Sequence, residues 1–273
     1  MVNRQGFMEI NRRYWDSLVE GHFDSTFYRV NQFLAGENSL DALETSVVGP
    51  VEGKSLLHLQ CHFGISSLSL ARLGAKVTGS DFSHEAIETA KYLSKLSGIN
   101  ADFIESNVYD LSANVGRQFE IVFTSYGVLC WLPDLRTWAR QIFDRLKPGG
   151  RFCIVEFHPD LQAAILAEEG FAISEESGPH LKPLLFEPDG TGSYATPHLE
   201  TAYPHYEWPH QMAEVISSLE ETGLRIIDFQ EYTYGSQGGF FGCLDQGEDG
   251  LWRFPIHEPQ IPITFSIKAE KPS

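Results

Sequence analysis

The sequence predicts an α/β fold in which a mostly parallel sheet is covered by helices on both faces. From Lys54 onward, short apolar runs alternate with amphipathic stretches, and this rhythm is typical of βαβ units. The clearest helix spans residues 135–146, where apolar side chains recur at helical spacing along one continuous stripe. The 273 residues are enough for one large domain, or for a domain with a sizeable insertion.

The predicted elements follow one another in the order expected for such a sheet. Ser83 can cap the helix after the second strand, and Glu85 in its first turn complements the helix dipole. Gly74 ends the preceding helix, and the run Lys147–Gly150 is expected to end the helix at 135–146. Strands are predicted at residues 55–60, 75–81, 101–107, 119–127, 151–157, 224–232 and 262–271. Helices are predicted at residues 65–74, 84–98, 135–146 and 211–223.

Two segments depart from this rhythm. Residues 1–53 are rich in aromatic side chains and are expected to form a helical cap. Residues 158–209 are rich in Pro, Gly, Glu and aromatics and are too long for an ordinary connection. We expect an inserted lid there, because its aromatic side chains give it surface to bury. The predicted organisation is therefore a cap at 1–53 and a main domain at 54–273, with the insertion at about 158–209. The aromatic residues of the insertion are Phe186, Tyr194, Tyr203, Tyr206 and Trp208.

The composition excludes several classes of function. The net charge is −17, from 20 Lys and Arg against 37 Asp and Glu, so the field of the protein repels nucleic acid backbones. No apolar run approaches the roughly 20 residues that cross a bilayer. The beginning of the sequence shows no secretory signal, and its four cysteines contain no CxxC pair. We therefore expect a cytoplasmic protein that acts as a monomer or homodimer and binds neither nucleic acid nor membrane.

The first strand runs into an unusual loop, "LLHLQCHFG" at residues 56–64. In an open parallel sheet, ligands bind beyond the carboxyl ends of the strands, where the strand order reverses. Gly64 lies in the first such loop, and Asp81 ends the second predicted strand, where a carboxylate can accept hydrogen bonds from a ribose diol. These two positions indicate a nucleoside-containing cofactor.

Five motifs along the chain resemble those of the class I S-adenosylmethionine-dependent methyltransferases. The resemblance covers roughly residues 54–157, and the last two predicted strands fit that family's terminal hairpin. It implies a three-layer, Rossmann-like sheet of seven mostly parallel strands with a reversed last strand, and it makes residues 54–273 the methyltransferase domain. The motifs, in order, are "LLHLQCHFG", "VTGSDFS", "IESNVYDL", "FEIVFTSYGVLCWLPD" and "LKPGGRF".

The resemblance also implies a cofactor and the residues that bind it. The cofactor is S-adenosyl-L-methionine, with S-adenosyl-L-homocysteine (SAH) as product. Asp81 is the implied ribose carboxylate, the adenine is expected near Phe82, Asn107 and Val108, and Ser125 and Tyr126 contact the methionine moiety. The aromatic segment before residue 53 can close over the cofactor or simply pack on the sheet. The candidate cofactor-binding residues are Tyr28, Gln60, Cys61, His62, Gly64, Asp81, Phe82, Asn107, Val108, Ser125 and Tyr126.

The first loop departs from the family's usual "DLGCGTG". His58 stands where an acid is expected, and Gln60 and His62 stand where glycines are expected. Phe63 replaces the threonine, and Asn107 replaces an aspartate whose acceptor role its carbonyl can keep. The loop resembles that of a subfamily of bacterial small-molecule methyltransferases. Losing the acid at position 58 removes a carboxylate that usually orients the methionine end.

Other interpretations of the loop stay open from the sequence. Cys61 and His62 could ligate a metal, although no second Cys/His pair has ligand spacing. Cys61 could be a nucleophile activated by His62, or a small residue packed behind the loop. Asp81 could be only an acid flanking a helix.

The predicted reaction is an in-line methyl transfer to a small-molecule acceptor, with the insertion supplying most of the acceptor pocket. Much of the protein's task is then alignment, and a base is needed when the acceptor is protonated. Alternatives are a fold that binds the cofactor without chemistry, or a nicotinamide-dependent oxidoreductase, which the absence of GxGxxG disfavours. His158 is the first choice for the base, because it lies at the carboxyl edge of the sheet. The candidate catalytic residues are His158, Tyr126, Glu156, His205 and His210.

Overall fold

A computed structural model describes residues 4–168, 183–239, 241–258 and 260–273. The strands of its main sheet are β1 (Ser55–Leu59), β2 (Lys76–Asp81), β3 (Asp102–Glu105), β4 (Phe119–Ser125), β5 (Leu146–Phe157), β8 (Arg225–Tyr232) and β11 (Thr264–Glu270). Two small hairpins outside the sheet consist of β6 (Leu184–Phe186) with β7 (His205–Glu207), and of β9 (Asp245–Gln246) with β10 (Trp252–Arg253).

The helices cover both faces of the sheet, and the first three of them precede β1 in the chain. They are α1 (Arg4–Asp24), α2 (Val30–Leu34), α3 (Ala42–Val48), α4 (Ile65–Arg72), α5 (His84–Ser97), α6 (Leu111–Asn114), α7 (Leu135–Arg145), α8 (Pro159–Glu168) and α9 (Met212–Glu220). None of these helices, within the described ranges, has both the length and the apolar character that a membrane crossing requires.

The strand order is β3-β2-β1-β4-β5-β11-β8. The strands from β1 to β5 pair in parallel, whereas β11 runs antiparallel to both β5 and β8. The predicted seven-stranded sheet with a reversed last strand is therefore confirmed. Because β1 lies between β2 and β4, the strand order reverses beside it, and the loops that follow these strands flank a crevice.

The apolar stripe predicted at 135–146 forms α7. Leu135, Trp138, Ala139 and Ile142 are buried, and the Trp138 ring packs edge-on against Phe152 of β5 with 5.6 Å between ring centroids. On the opposite face, side chains of α4 and α5 pack around Phe63 and Phe103. These two layers fix the positions of the strand ends that carry the site.

The helix caps show how local sequence sets the element boundaries. Ser83 caps α5 as predicted, because its hydroxyl accepts the Ala86 N–H at 3.0 Å. The prediction for Lys147–Gly150 was wrong in part: α7 ends at Arg145, and this run belongs to β5. The register between β4 and β5 shifts between Phe119 and Ile121, so the extra residues of β5 form a bulge near its amino end.

The two segments outside the regular rhythm contain short elements of their own. In the described part of the predicted helical cap, residues 4–53, these are α1, α2 and α3. The predicted insertion contains α8 and the β6–β7 hairpin, and its residues 169–182 lie outside the described ranges. Of its aromatic side chains, Trp208 is buried, whereas Tyr203 is exposed. The last two strands of the sheet are neighbours, but residues 233–263 separate them along the chain.

The amino-terminal helix and the insertion are joined directly. Asn11 of α1 donates from Nδ2 to the Tyr206 carbonyl at 2.8 Å, and its Oδ1 accepts the Tyr206 N–H at 2.8 Å. The insertion also contacts the loop after β4, where the Trp208 N–H donates to the Cys130 carbonyl at 2.7 Å. The cap and the insertion thus form one cover over the carboxyl edge of the sheet.

Candidate functional site

A cavity of about 950 Å³ opens at the carboxyl ends of β1, β2, β4 and β5. This volume lies within the range of small-molecule and cofactor sites. The cavity is lined by the loop after β1, the end of β2, the loop after β4, parts of α1 and α3, the segments that precede α2 and α3, and the insertion. Its position at the point where the strand order reverses is where open α/β sheets bind ligands.

The loop after β1 keeps a glycine-like backbone without the glycines. Gln60 and His62 both have left-handed backbones, with φ of 51° and 50°, and Gly64 has φ 76°. For a residue with a side chain this conformation costs roughly 1–2 kcal/mol. Contacts of the two side chains and of the loop backbone offset this cost. Gln60 Nε2 donates to the Val128 carbonyl at 3.0 Å, and the His62 N–H donates to Asp81 Oδ2 at 2.8 Å.

Gly64 is the one position of this loop where a side chain has no room. A Cβ there would lie 2.5 Å from Phe103 Cε1 and 2.9 Å from Ala90 Cβ. Gly64→Ala is therefore expected to lower the free energy of unfolding by about 2–4 kcal/mol, through strain at positive φ and overpacking. Urea denaturation measures this change. Gly98→Ala is the matched control, because Gly98 has φ 70° and open space around it; equal losses in both variants would show that the Phe103 contact is unimportant.

Asp81 is held at the end of β2 by backbone donors. Its Oδ2 accepts the His62 N–H, and its Oδ1 accepts the Ser83 N–H at 2.9 Å. Burial raises the pKa of Asp81 to about 6, against the opposing effect of these hydrogen bonds. Each carboxylate oxygen keeps a lone pair for a further donor. The carboxylate is thus ionised at neutral pH, oriented, and part of the cavity wall.

The side chain of His62 connects the loop to the cover. His22 of α1 places Nδ1 3.0 Å from His62 Nε2 and Nε2 2.7 Å from the Ser193 hydroxyl of the insertion. Beside this chain, the hydroxyls of Tyr28 and Tyr194 are 2.5 Å apart. Burial lowers the pKa of His22 to about 4 and holds the pKa of His62 well below its usual range. Both imidazoles are therefore neutral, and one chain of hydrogen bonds joins the loop, α1 and the insertion.

Cys61 is packed behind the loop. Its side chain is buried, and a Cβ added at Gly79 would lie 2.9 Å from its sulfur. Burial and the neighbouring Asp81 hold the pKa of the thiol well above its usual range. Because His62 is neutral, no adjacent cation supports a thiolate. Among the residues that the structure describes, no three His, Cys, Asp or Glu side chains form a group able to hold a metal ion.

Glu156 organises the loop after β4. Its two carboxylate oxygens accept backbone N–H groups from Gly127 at 2.5 Å, Val128 at 2.7 Å, Leu129 at 3.1 Å and Phe157 at 2.7 Å. The side chain is buried, and burial raises its pKa despite these bonds. With four donors on its two oxygens, Glu156 has no free position for a substrate proton. Its contacts are those of a positioning residue.

The candidate histidines differ in their relation to the cavity. His158 does not line it: its Nε2 lies 2.9 Å from Glu231, and its Nδ1 accepts the Asp160 N–H at 3.1 Å. His205 is also absent from the lining and stacks on Phe186 at 4.9 Å. His210 does line the cavity, but Nδ1 lies 2.9 Å from Glu214 and Nε2 2.8 Å from the Leu132 carbonyl. None of the three presents an unengaged nitrogen to the cavity.

Tyr126 lines the cavity in an unusual conformation. Its φ is 45°, and its hydroxyl donates to Asp41 Oδ2 at 2.8 Å. Burial and the adjacent acids raise the pKa of this phenol. Tyr126 thus contacts both the cavity and the Asp41 carboxylate through its own hydroxyl.

Of the predicted cofactor-binding residues, Asn107 alone is absent from the lining. Its Oδ1 accepts the Tyr109 N–H at 3.1 Å and so caps the short 3₁₀ turn at Val108–Asp110. The neighbouring Ser106 lines the cavity in its place. The residues that the cavity brings together are Tyr28, Gln60, Cys61, His62, Gly64, Asp81, Phe82, Val108, Ser125 and Tyr126.

Two groups of lining residues were missed from the sequence. Asp41 and Glu44 of the amino-terminal segment reach the cavity beside Tyr126. Their spacing, an acid followed three residues later by Glu, is a capping-box signature that the sequence does show. Ser236 and Trp252 lie between β8 and β11, and no local pattern distinguishes that segment from a surface loop.

His58 gives the site a testable pH dependence. Its Nδ1 lies 2.8 Å from the Ser67 hydroxyl, and burial lowers its pKa to about 3. Because the unfolded chain binds this proton more readily, stability is lost as the pH falls below the unfolded value of about 6.5. His58→Gln should reduce the loss of unfolding free energy between pH 7 and pH 5 by about 2 kcal/mol.

The His58 experiment is urea denaturation at both pH values. His257→Gln is the control, since the His257 side chain is 76% exposed. An unchanged pH slope in His58→Gln would contradict the assignment of a neutral, buried imidazole.

Comparisons with known proteins agree with this geometry. Residues 56–150 match the family described as the methyltransferase domain. The ubiquinone biosynthesis O-methyltransferase of Escherichia coli is 33% identical over 144 residues, which are 53% of this chain and 56% of that protein. The chain thus spans little more than half the length of the curated relatives it matches.

Solved structures extend the likeness to the whole fold. A SAM-dependent methyltransferase from Methanosarcina mazei has a TM-score of 0.56 and 20% identity, with 85% of this chain and 98% of that one covered. The complex of DhpI with SAH has a TM-score of 0.58 and 15% identity, with 99% of each chain covered. At these identities the structural likeness shows the fold.

Proposed function

Since residues 56–150 belong to the methyltransferase-domain family and the sheet has the class I strand order, we propose that this protein transfers a methyl group from S-adenosyl-L-methionine to a small-molecule acceptor. The observation that carries this proposal is the joint geometry of the first loop and Asp81. The loop keeps left-handed backbones at positions 60 and 62, and the ionised carboxylate of Asp81 faces the same cavity. A tight first loop and a carboxylate at the end of the second strand are the features with which open α/β sheets bind nucleoside cofactors.

The residues present fit such a cofactor. Asp81 would accept hydrogen bonds from the ribose diol, and Phe82, Ser106 and Val108 would surround the adenine. When bound, the cofactor supplies a methyl group already activated on a sulfonium. The protein then binds the cofactor and the acceptor, orients them and excludes water from them. The cover formed by α1 and the insertion is suited to this task.

The walls of the cavity favour an acceptor without net negative charge. Among the described residues that line it, Arg29 is the one Lys or Arg side chain, and it is 3.7 Å from Glu37. The lining carboxyl groups are Asp41, Glu44, Asp81, Glu156 and Glu207, of which Glu44 is mostly protonated at neutral pH because burial and Asp41 raise its pKa to about 8. A phosphate or carboxylate on the acceptor would be repelled by this field. Apolar residues from α8 and the segment after β8 supply the remaining wall, which suits an uncharged or amine-bearing organic molecule.

For proton removal, we retain Tyr126 from the predicted catalytic set. It lines the cavity and donates to Asp41, so its phenol oxygen can take a proton from an acceptor hydroxyl while its own proton passes to the Asp41 carboxylate. An amine acceptor that arrives unprotonated needs no base. The contacts of His158, His205, His210 and Glu156 do not favour that role.

We further propose a cytoplasmic location and a monomer or homodimer without nucleic acid. The net charge of −17 supports the exclusion of nucleic acid. The buried thiols of Cys61 and Cys153 fit a reducing compartment.

The test is a transfer assay with methyl-labelled S-adenosylmethionine and a panel of neutral, amine-bearing and carboxylate-bearing small molecules. We expect label in an uncharged or amine-bearing compound, with release of SAH. SAH binding without transfer to any compound in a broad panel would favour a non-catalytic cofactor-binding protein. Absence of SAH binding would overturn the proposal.

A further inference from the structure

We infer that Asp41 and Glu44, which line the cavity beside Tyr126, bind the ammonium group of the cofactor's amino-acid moiety. This inference rests on the proposed function and names a subsite within it. It assigns to the amino-terminal segment a carboxylate role that the first loop, with His58, cannot perform.

The two carboxylates form a connected pair against the loop after β4. Asp41 Oδ1 accepts the Glu44 N–H at 2.6 Å, and Glu44 Oε2 accepts the Asp41 N–H at 2.9 Å. Asp41 Oδ2 accepts from the hydroxyls of Tyr126, at 2.8 Å, and Ser236. A carboxylate has about four acceptor positions, so the pair can take further donors from a ligand.

This pair has no cation to balance it. No Lys, Arg or His in the described part of the chain forms an ion pair with Asp41 or Glu44, although both line the cavity. Glu44 is buried, and burial together with Asp41 raises its pKa to about 8. A buried anionic pair is unfavourable without a positive partner. A ligand ammonium entering the cavity would restore the ionised form of Glu44.

Neighbouring side chains also offer unused polar atoms to the same cavity. His58 is 4% exposed, and its Nε2 has no hydrogen-bond partner among the described residues, whereas Nδ1 is bonded to Ser67. Gln60 Oε1 is buried without a donor, while its Nε2 holds the Val128 carbonyl. His58, in β1, and Gln60, in the loop after it, both line the cavity, and β1 lies between the strands that end at Asp81 and before Tyr126. These unpaired atoms indicate that a ligand with hydrogen-bonding groups completes this end.

The sheet sets the direction of the ligand. Asp81 ends β2, and Ser125 ends β4, with β1 between them. Two strand spacings of about 4.8 Å separate these ends by roughly 10 Å. A cofactor whose ribose lies at Asp81 and which crosses the loop after β1 therefore brings its other end to Ser125, Tyr126 and the acidic pair. That end of S-adenosylmethionine and SAH carries an ammonium group.

A purely structural role is the competing explanation. Asp41 and Glu44 form a capping box at α3, which by itself accounts for their mutual hydrogen bonds. Such a role predicts a change in stability without any selectivity among ligands. Glutamine can replace glutamate in a capping box, so Glu44→Gln removes the charge and leaves the cap.

The experiment compares two ligands that differ in the amino-acid end. SAH and 5′-methylthioadenosine share the nucleoside and the sulfur, and only SAH carries the ammonium. Each is titrated by calorimetry into the unmodified protein, Glu44→Gln, and the control Glu20→Gln, which removes an exposed charge from α1. We expect Glu44→Gln to weaken the binding of SAH at least about 10-fold and to leave the affinity for methylthioadenosine within about twofold of that of the unmodified protein. Glu20→Gln should change neither affinity.

A second readout is proton release. When the ammonium ionises Glu44, SAH binding at pH 7 should release a proton, seen as a dependence of the heat on the buffer's ionisation enthalpy. Glu44→Gln should remove it. If Glu44→Gln lost equal affinity for both ligands, or lost affinity for neither, the inference would be overturned. Binding of SAH to the unmodified protein would still uphold the proposed function in that case. If the unmodified protein binds neither ligand, the proposed function itself fails.

Discussion

Asp81→Ala is expected to weaken SAH binding about 100-fold, because it removes charge-assisted hydrogen bonds to the ribose diol. The carboxylate is already held by the N–H groups of His62 and Ser83, so no rearrangement is needed before a diol binds. The burial that raises its pKa to about 6 leaves it ionised at pH 7. Calorimetric titration of the variant and the unmodified protein measures this ratio.

The Asp81 result needs a control for the loop itself, since the substitution also removes the acceptor of the His62 N–H. Asp81→Asn keeps one carbonyl acceptor and is expected to bind SAH with intermediate affinity. Asp245→Ala removes an exposed carboxylate from β9 and should bind like the unmodified protein. Affinity within about twofold of the unmodified protein in a folded Asp81→Ala would remove Asp81 from the cofactor site.

Glu156→Gln is expected to lower the free energy of unfolding by about 3 kcal/mol or more, since it places a donor where backbone N–H groups need acceptors. The carboxylate serves the N–H groups of residues 127–129 and 157, and a carboxamide has one oxygen for them. The loop that carries Tyr126 would lose its fixed position as well. Urea denaturation measures the loss of stability.

The control for Glu156 is Glu231→Gln. Glu231 lies 2.9 Å from His158 on the neighbouring part of the sheet, but its side chain is 43% exposed. We expect it to change the free energy of unfolding by at most about 1 kcal/mol. If the two variants lost similar stability, the backbone bonds to Glu156 would not be what holds the loop.

The sequence was sufficient for the individual strands and helices because their signals are local, whereas the seven-stranded sheet with a reversed last strand was implied by the family resemblance. The stripe on α7, the Ser83 cap and the acid at the end of β2 each depend on residues that are close to one another in the sequence. The boundary at Lys147 was misjudged because Pro and Gly end helices in general, whereas pairing of Leu146 with Phe119 decided this case.

The candidate site was predicted only in part, because part of its wall is formed by contacts between residues that are far apart in the sequence. The bond between Tyr126 and Asp41 joins residues 85 positions apart, and that between Ser236 and Asp41 joins residues 195 apart. The helix and strand periodicities of the sequence do not predict such pairs. The contacts of both nitrogens of His158, with Glu231 and with the Asp160 N–H, are equally invisible in the sequence.

The substituted glycines of the first loop have a structural explanation. The backbone at His62 keeps the left-handed conformation that a glycine would adopt, and its side chain adds the contact with His22 that joins the loop to the cover. A glycine at this position would leave the His22 and Ser193 pair without its third member. The loop thus accepts a less favourable backbone conformation at His62, and in return the His62 side chain links the loop to α1 and the insertion.

The central claim is that the cavity at the ends of β1, β2 and β4 binds S-adenosylmethionine or its product. Calorimetric titration of the unmodified protein with SAH tests it most directly. We predict one site per chain with micromolar affinity. No heat of binding up to high micromolar SAH, from protein shown to be folded, would contradict the claim.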